Sequence, residues 1–147
     1  TLQCNKVKYI IDKVELIHSI NTLKLIKEVE KQASKHDLMM HVLLEVNIAD
    51  EESKQGFDQN DIKEAMDLCL QCPHIIVDGL MMMAPNIEVE DTRIYFQKTR
   101  ILLEQLQKEY PQYPLKELSM GMSQDYKVAL EEGATMVRIG RALFQED

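Results

Sequence analysis

The chain has 147 residues, 45% hydrophobic and 29% charged, with four prolines and five glycines, which fits one soluble domain and leaves no room for collagen-like, linker-like or disordered readings. Its net charge of −8 comes without any local basic stripe, so a nucleic-acid partner is not expected. The apolar stretches VLLEVNI and GLMMMA fall far short of the ~20 residues that span a bilayer, and no signal sequence opens the chain, so the expected compartment is the cytoplasm with no membrane contact.

Hydrophobic bursts of strand length alternate with longer helical runs. LIHSI from Leu16 reads as the first strand. A helix capped by Asn21 or Thr22 follows, with Leu23, Ile26 and Val29 in helical rhythm. VLLEVNI from Val42 is apolar almost throughout and suits a parallel strand buried on both faces. Asp58 or Asn60 opens a helix carrying Ile62, Ala65, Met66 and Cys69. That helix ends in Cys69-Leu70-Gln71-Cys72 before Pro73. No second ligand pair follows at a zinc-site spacing, and a redox pair would begin a helix rather than end one, so this C-x-x-C reads as a plain helix end.

VDGLMMM from Val77 is the third strand. A long helix opened by Asp91 carries Ile94, Phe96, Leu102, Leu103 and Leu106 up to Tyr110-Pro111. ELSMG from Glu117 is the fourth strand, DYKVALEEG after Ser123 a short helix closed by Gly133, and VRIG from Val137 the fifth strand. Strands alternating with crossover helices imply a parallel sheet, either a doubly wound sheet or most of an eight-stranded barrel. Periodicity does not separate the two.

Both architectures place ligand chemistry at the carboxyl ends of strands. SMGMSQD and VRIGRALF each leave a strand through a glycine into a helical stretch, which brings backbone N–H groups and the Ser123 hydroxyl toward an anion. A phosphate cup is one reading. Routine glycines at strand–helix junctions, with Ser123 as an N-cap, are the other. Arg138 stands in an otherwise apolar strand just before the cup and needs an acceptor, from a buried ion pair or from a ligand ring nitrogen. His18 leaves the first strand and reads as a partly buried histidine. The methionine-rich third strand reads as core packing.

The segments LQCNKVKYII, LIHSINTLKL, LEVNIADEESKQGF, GLMMMAP and LSMGMSQDYKVALEEGATMVRIGRALF together resemble the pyridoxal phosphate homeostasis protein family, whose barrels are related to the N-terminal domain of alanine racemases. The resemblance implies a (β/α)8 TIM-barrel-type fold, α/β in class and incomplete here, with residues 1–147 as a single domain forming the C-terminal part of a barrel that binds pyridoxal 5′-phosphate. It also implies roles. Ser123 would donate to the cofactor phosphate, Gly140 and Arg141 would offer backbone N–H groups to it, and Arg138 would face the pyridine nitrogen. Asn47 and Met81 would line the cofactor. The loop from Glu51 to Phe57 matches the family without an assignable chemistry.

The family's cofactor-binding lysine lies upstream of Thr1, and Lys6, Lys8 and Lys54 match other positions. Cofactor binding is therefore expected to be non-covalent at best, with no catalytic residue in this chain and self-association through open barrel edges. The expected function is cofactor homeostasis. The alternatives are a racemase-like enzyme acting on amino acids and a phosphate-binding barrel that takes another ligand.

Overall fold

The computed structural model describes residues 2–49 and 56–138. Among these residues five parallel strands, β1 Leu16–Ile20, β2 Met40–Val46, β3 Ile75–Met82, β4 Glu117–Met122 and β5 Met136–Arg138, form one sheet in strictly sequential order. The linking helices are α2 Leu23–Lys35, α3 Ile62–Leu70, α4 Arg93–Glu109 and α5 Tyr126–Glu131, with a short α1 at Val7–Ile10 ahead of the sheet. Sequential order with helices on one side is the topology of a barrel, and a doubly wound sheet would reverse its strand order part-way. The fold is a half-barrel, as the sequence resemblance implied.

The sheet's two faces differ by composition. Met40, Val42, Leu44 and Val46 of β2, Ile75, Val77, Leu80 and Met82 of β3, and Leu118 and Met120 of β4 pack with the helices into one continuous core. From the helices, Leu25, Ile26 and Val29 of α2, Ile62, Ala65 and Met66 of α3, and Phe96, Leu103 and Leu106 of α4 fill the other side. Residues at alternate positions point to the opposite, concave face. There the chain places His41, Leu43, Glu45, Met81 and Ser119, a more polar set.

Two local devices shape the sheet. The register between β2 and β3 shifts so that Val42 opposes Val77 while Leu43 opposes Gly79, leaving Asp78 as the extra residue of a bulge. The bulge turns Asp78 toward His41, whose Nδ1 lies 2.9 Å from both carboxylate oxygens. Beside it, β4 approaches β3 so closely that a Cβ on Gly79 would stand 1.8 Å from the Glu117 carbonyl oxygen.

Element boundaries follow the sequence reading with small shifts. β2 and β3 each begin two residues before the expected Val42 and Val77, because Met40 and Ile75 still have core positions to fill. Thr22 rather than Asn21 caps α2, its Oγ1 accepting from the Leu25 amide at 3.1 Å. Asp58 organises the entry to α3 by accepting the amides of Asn60 and Asp61 at 2.8 and 2.7 Å. Asp91 does not open α4 directly. A 3-10 turn, Val89–Thr92, precedes it and Arg93 is the first helical residue. The turn at Cys4–Lys6 and α1 went unread in the sequence, because their one fully buried residue, Val7, leaves no amphipathic rhythm.

Candidate functional site

The site is built where β4 and β5 end. β4 leaves through Gly121, which has φ +102° and would carry a Cβ only 2.7 Å from the Ala129 Cβ, so α5 is seated directly against the strand end. The next residues turn back sharply. Met122 donates its amide to Asp125 Oδ1 at 2.6 Å, and the Asp125 amide returns to the Met122 carbonyl at 3.1 Å. These two bonds close a turn whose exposed crest carries Ser123. Ser123 is not the helix cap; Asp125 holds that position, without a side-chain cap bond of its own.

Arg138 supplies the charge. Its Cα pairs with Met122, yet its guanidinium reaches back along the concave face, where Nη1 donates to Ser119 Oγ at 2.8 Å and Nη2 to the Met82 carbonyl at 3.1 Å. Both acceptors are neutral. Among the described residues no carboxylate comes within ion-pair distance of it, although Glu45 and Asp125 act on it from further off. Burial lowers its pKa, against the raising effect of those two carboxylates. A guanidinium nonetheless keeps its proton in proteins, so the group remains a donor-only cation with N–H bonds left for a ligand.

Burial first, and that charge second, act on the neighbouring titratable groups. Glu45, 6% exposed, has its pKa raised by burial, with Arg138 pulling it back down. His18 is exposed rather than partly buried as the sequence reading expected, because β1 is an edge of the sheet. The protein around its ring, followed by the Arg138 charge, still holds its pKa below the ordinary histidine value.

The remaining candidates fall around this centre. Met81 lies in register with Glu45 on one side and Ser119 on the other and is 6% exposed. It is buried, as the core-packing reading of this strand expected, but stands on the concave side, outside the cluster packed against the helices. Asn47 follows β2, donates its amide to the Phe57 carbonyl at 2.8 Å, and lines a polar cleft with Ile48, Asp58, Gln59 and Asn60. Gly140, Arg141 and the stretch from Glu51 to Gln55 lie outside the described residues. Sequence reasoning pointed to the strand exit that holds Ser119 and Asp125 but gave neither residue a role. Ser119 was readable as a lone hydroxyl in an apolar strand, but the strand that uses it lies 19 residues away.

The Cys69–Cys72 pair is a helix end, as read from the sequence. Both thiols are free and buried, and burial followed by the neighbouring Cys72 pushes Cys69 up to about 12. A thiol so far from ionising is a poor nucleophile. No group of three or more metal-ligating side chains occurs among the described residues.

The alanine racemase N-terminal domain family model matches residues 2–147. The chain belongs to that family. The pyridoxal phosphate homeostasis protein of Aquifex aeolicus is 49% identical over 146 residues, covering 99% of this chain and 64% of that protein. The Escherichia coli protein of the same name is 31% identical, covering 97% of this chain and 61% of its own length. The chain thus spans somewhat under two thirds of these relatives.

Among solved structures, PipY of Synechococcus elongatus without pyridoxal phosphate superposes with a TM-score of 0.91 at 32% identity, covering 98% of this chain and 67% of PipY. The same protein with pyridoxal phosphate bound gives 0.89 at 31% identity, with the same coverage. Alanine racemase of Clostridium difficile, at 13% identity and a TM-score of 0.77 over 98% of this chain and 37% of its own, shares the fold.

Proposed function

We propose that this chain binds pyridoxal 5′-phosphate at the carboxyl ends of β4 and β5 and acts in keeping that cofactor in balance within the cell. The observation that carries the reading is the Arg138 guanidinium, half-buried on the concave face and held only by neutral acceptors among the described residues. A donor-only cation of that kind fits an aromatic ring nitrogen, which accepts. The Ser123 hydroxyl, exposed on its turn at the adjacent strand end, fits a phosphate oxygen. The homeostasis proteins of A. aeolicus and E. coli and the cofactor-bound PipY support the same reading.

In this reading Arg138 faces the pyridine nitrogen and Ser123 donates to the phosphate. Gly140 and Arg141 add backbone N–H groups to the phosphate, and Asn47 and Met81 flank the ring. The cofactor supplies an electron-accepting ring when bound. Arg138 cannot pass a proton to that ring, so the ring stays a weaker electron sink than one opposed by a carboxylate. Holding and releasing the cofactor suits such a site better than amino-acid turnover. Residues 1–147 then act as one domain, the C-terminal part of a barrel, in the cytoplasm and without nucleic acid or membrane.

Equilibrium titration with pyridoxal 5′-phosphate tests the reading. Arg138→Ala is expected to weaken binding about tenfold or more, the loss of a hydrogen bond from a charged donor. Equal affinity in the parent and the variant overturns it. Borohydride treatment followed by intact mass is expected to leave the lysines unmodified, and a specific pyridoxyl-lysine adduct contradicts non-covalent binding.

A further inference from the structure

Arg138 is a staple across three strands. Starting on β5, it passes along the concave face of β4 and ends on β3, donating on the way to Ser119 Oγ and finally to the Met82 carbonyl. Two bonds from different Nη atoms to acceptors on different strands fix more than the position of the guanidinium. Because the group is planar and its donors sit in a rigid fork, they also fix its plane. The Met82 carbonyl belongs to the backbone and is present whatever the side chain. Ser119 is the part of this arrangement that the sequence chose.

Its surroundings underline the choice. Ser119 is 1% exposed and stands level with Met81 in a row whose next member is Glu45. A buried hydroxyl in such a place costs stability unless it is hydrogen-bonded, and a valine or alanine would pack a parallel strand as well. A carboxylate here would neutralise Arg138 and tie it into an ion pair. The hydroxyl holds the guanidinium without spending its charge.

We propose that Ser119 is a positioning residue for cofactor binding, which orients the Arg138 guanidinium so that its remaining N–H groups face the pyridine nitrogen. The proposal rests on the pyridoxal 5′-phosphate reading for its consequence, but not for the contact itself. Ser119 acts only through Arg138 and touches no ligand.

The experiment has two arms on the same chain. In the first, without ligand, the exchange of the Arg138 Nη1 hydrogens, which bond Ser119 Oγ, is followed by NMR in the parent and in Ser119→Ala. Exchange about tenfold faster in the variant is expected, as one hydrogen bond to a charged group is lost. Unchanged exchange overturns the proposal. In the second arm, pyridoxal 5′-phosphate affinity is measured for the parent, Ser119→Ala, Arg138→Ala and the double variant. Ser119→Ala alone is expected to weaken binding about tenfold and to add nothing once Arg138 is alanine. An equal loss in both backgrounds, or none in either, overturns it, since Ser119 would then act independently of Arg138 or not at all. Should the parent fail to bind the cofactor, the functional reading falls and the first arm alone decides whether Ser119 holds Arg138.

Discussion

The Asp125 carboxylate accepts the Met122 amide at 2.6 Å, so a buried side chain three residues downstream folds the chain back where β4 ends. This bond, and not the glycine alone, sets the crest on which Ser123 stands. Asp125 therefore links the fold to the site: one oxygen shapes the turn, while its charge acts on Arg138.

Asp125→Ala is expected to cost about 1–3 kcal/mol of stability, the loss of a buried hydrogen bond to a charged acceptor. It is also expected to weaken pyridoxal 5′-phosphate binding as the Ser123 turn loosens. Asp125→Asn keeps an oxygen for the Met122 amide and should retain most of the stability. Urea unfolding with cofactor titration on both variants checks this, and equal behaviour of Ala and Asn would refute the hydrogen-bond account.

Gly79→Ala meets backbone and not a flexible side chain, since its Cβ would lie 1.8 Å from the Glu117 carbonyl oxygen. β3 and β4 must separate to admit it, which breaks their ladder. A loss of about 3 kcal/mol or more is expected, at the top of the usual overpacking range. The urea midpoint reads it directly, and a change below about 1 kcal/mol would mean that the two strands separate without breaking their ladder.

Glu45 gives a pH signature. Its folded pKa is raised, chiefly by burial, above the unfolded value. The stability contributed by that shift is fully present below the unfolded pKa and is lost as pH rises through the folded pKa. Glu45→Gln removes the titration, so the variant should gain stability relative to the parent as pH rises from the carboxylate range toward neutrality. Thermal midpoints of both proteins across that window test it. Parallel pH profiles would show that Arg138 fully compensates the burial.

Thiol labelling should separate the three cysteines. Cys69 and Cys72 are buried, and both have pKa values raised by burial. Cys4 is only partly buried. Native protein is expected to label at Cys4 first, with the other two reacting on unfolding. Rapid native labelling of Cys69 would contradict the inert reading of this C-x-x-C.

The open edges of the sheet, β1 and β5, leave backbone groups without a neighbouring strand among the described residues. Self-association is the expected remedy. Sedimentation equilibrium should give a mass above the 17.1 kDa of one chain. A monomer at every concentration would argue against it.

The sequence by itself determined the order and kind of the elements. Five apolar bursts separated by amphipathic runs were legible because strand and helix periods are local properties, and the glycine-broken motif toward the chain's end drew attention to the strand ends proposed as the cofactor site. It also singled out Arg138, since a charge in an apolar strand is visible without a structure.

Only the tertiary structure decided what Arg138 touches, and that Asp78 leaves the strand alternation at a bulge to meet His41. It likewise put Met81 on the concave face and left His18 exposed on an edge strand. These outcomes depend on register and on which strands become neighbours. Such pairings join residues as far apart as Met82 and Arg138, beyond the reach of any local period.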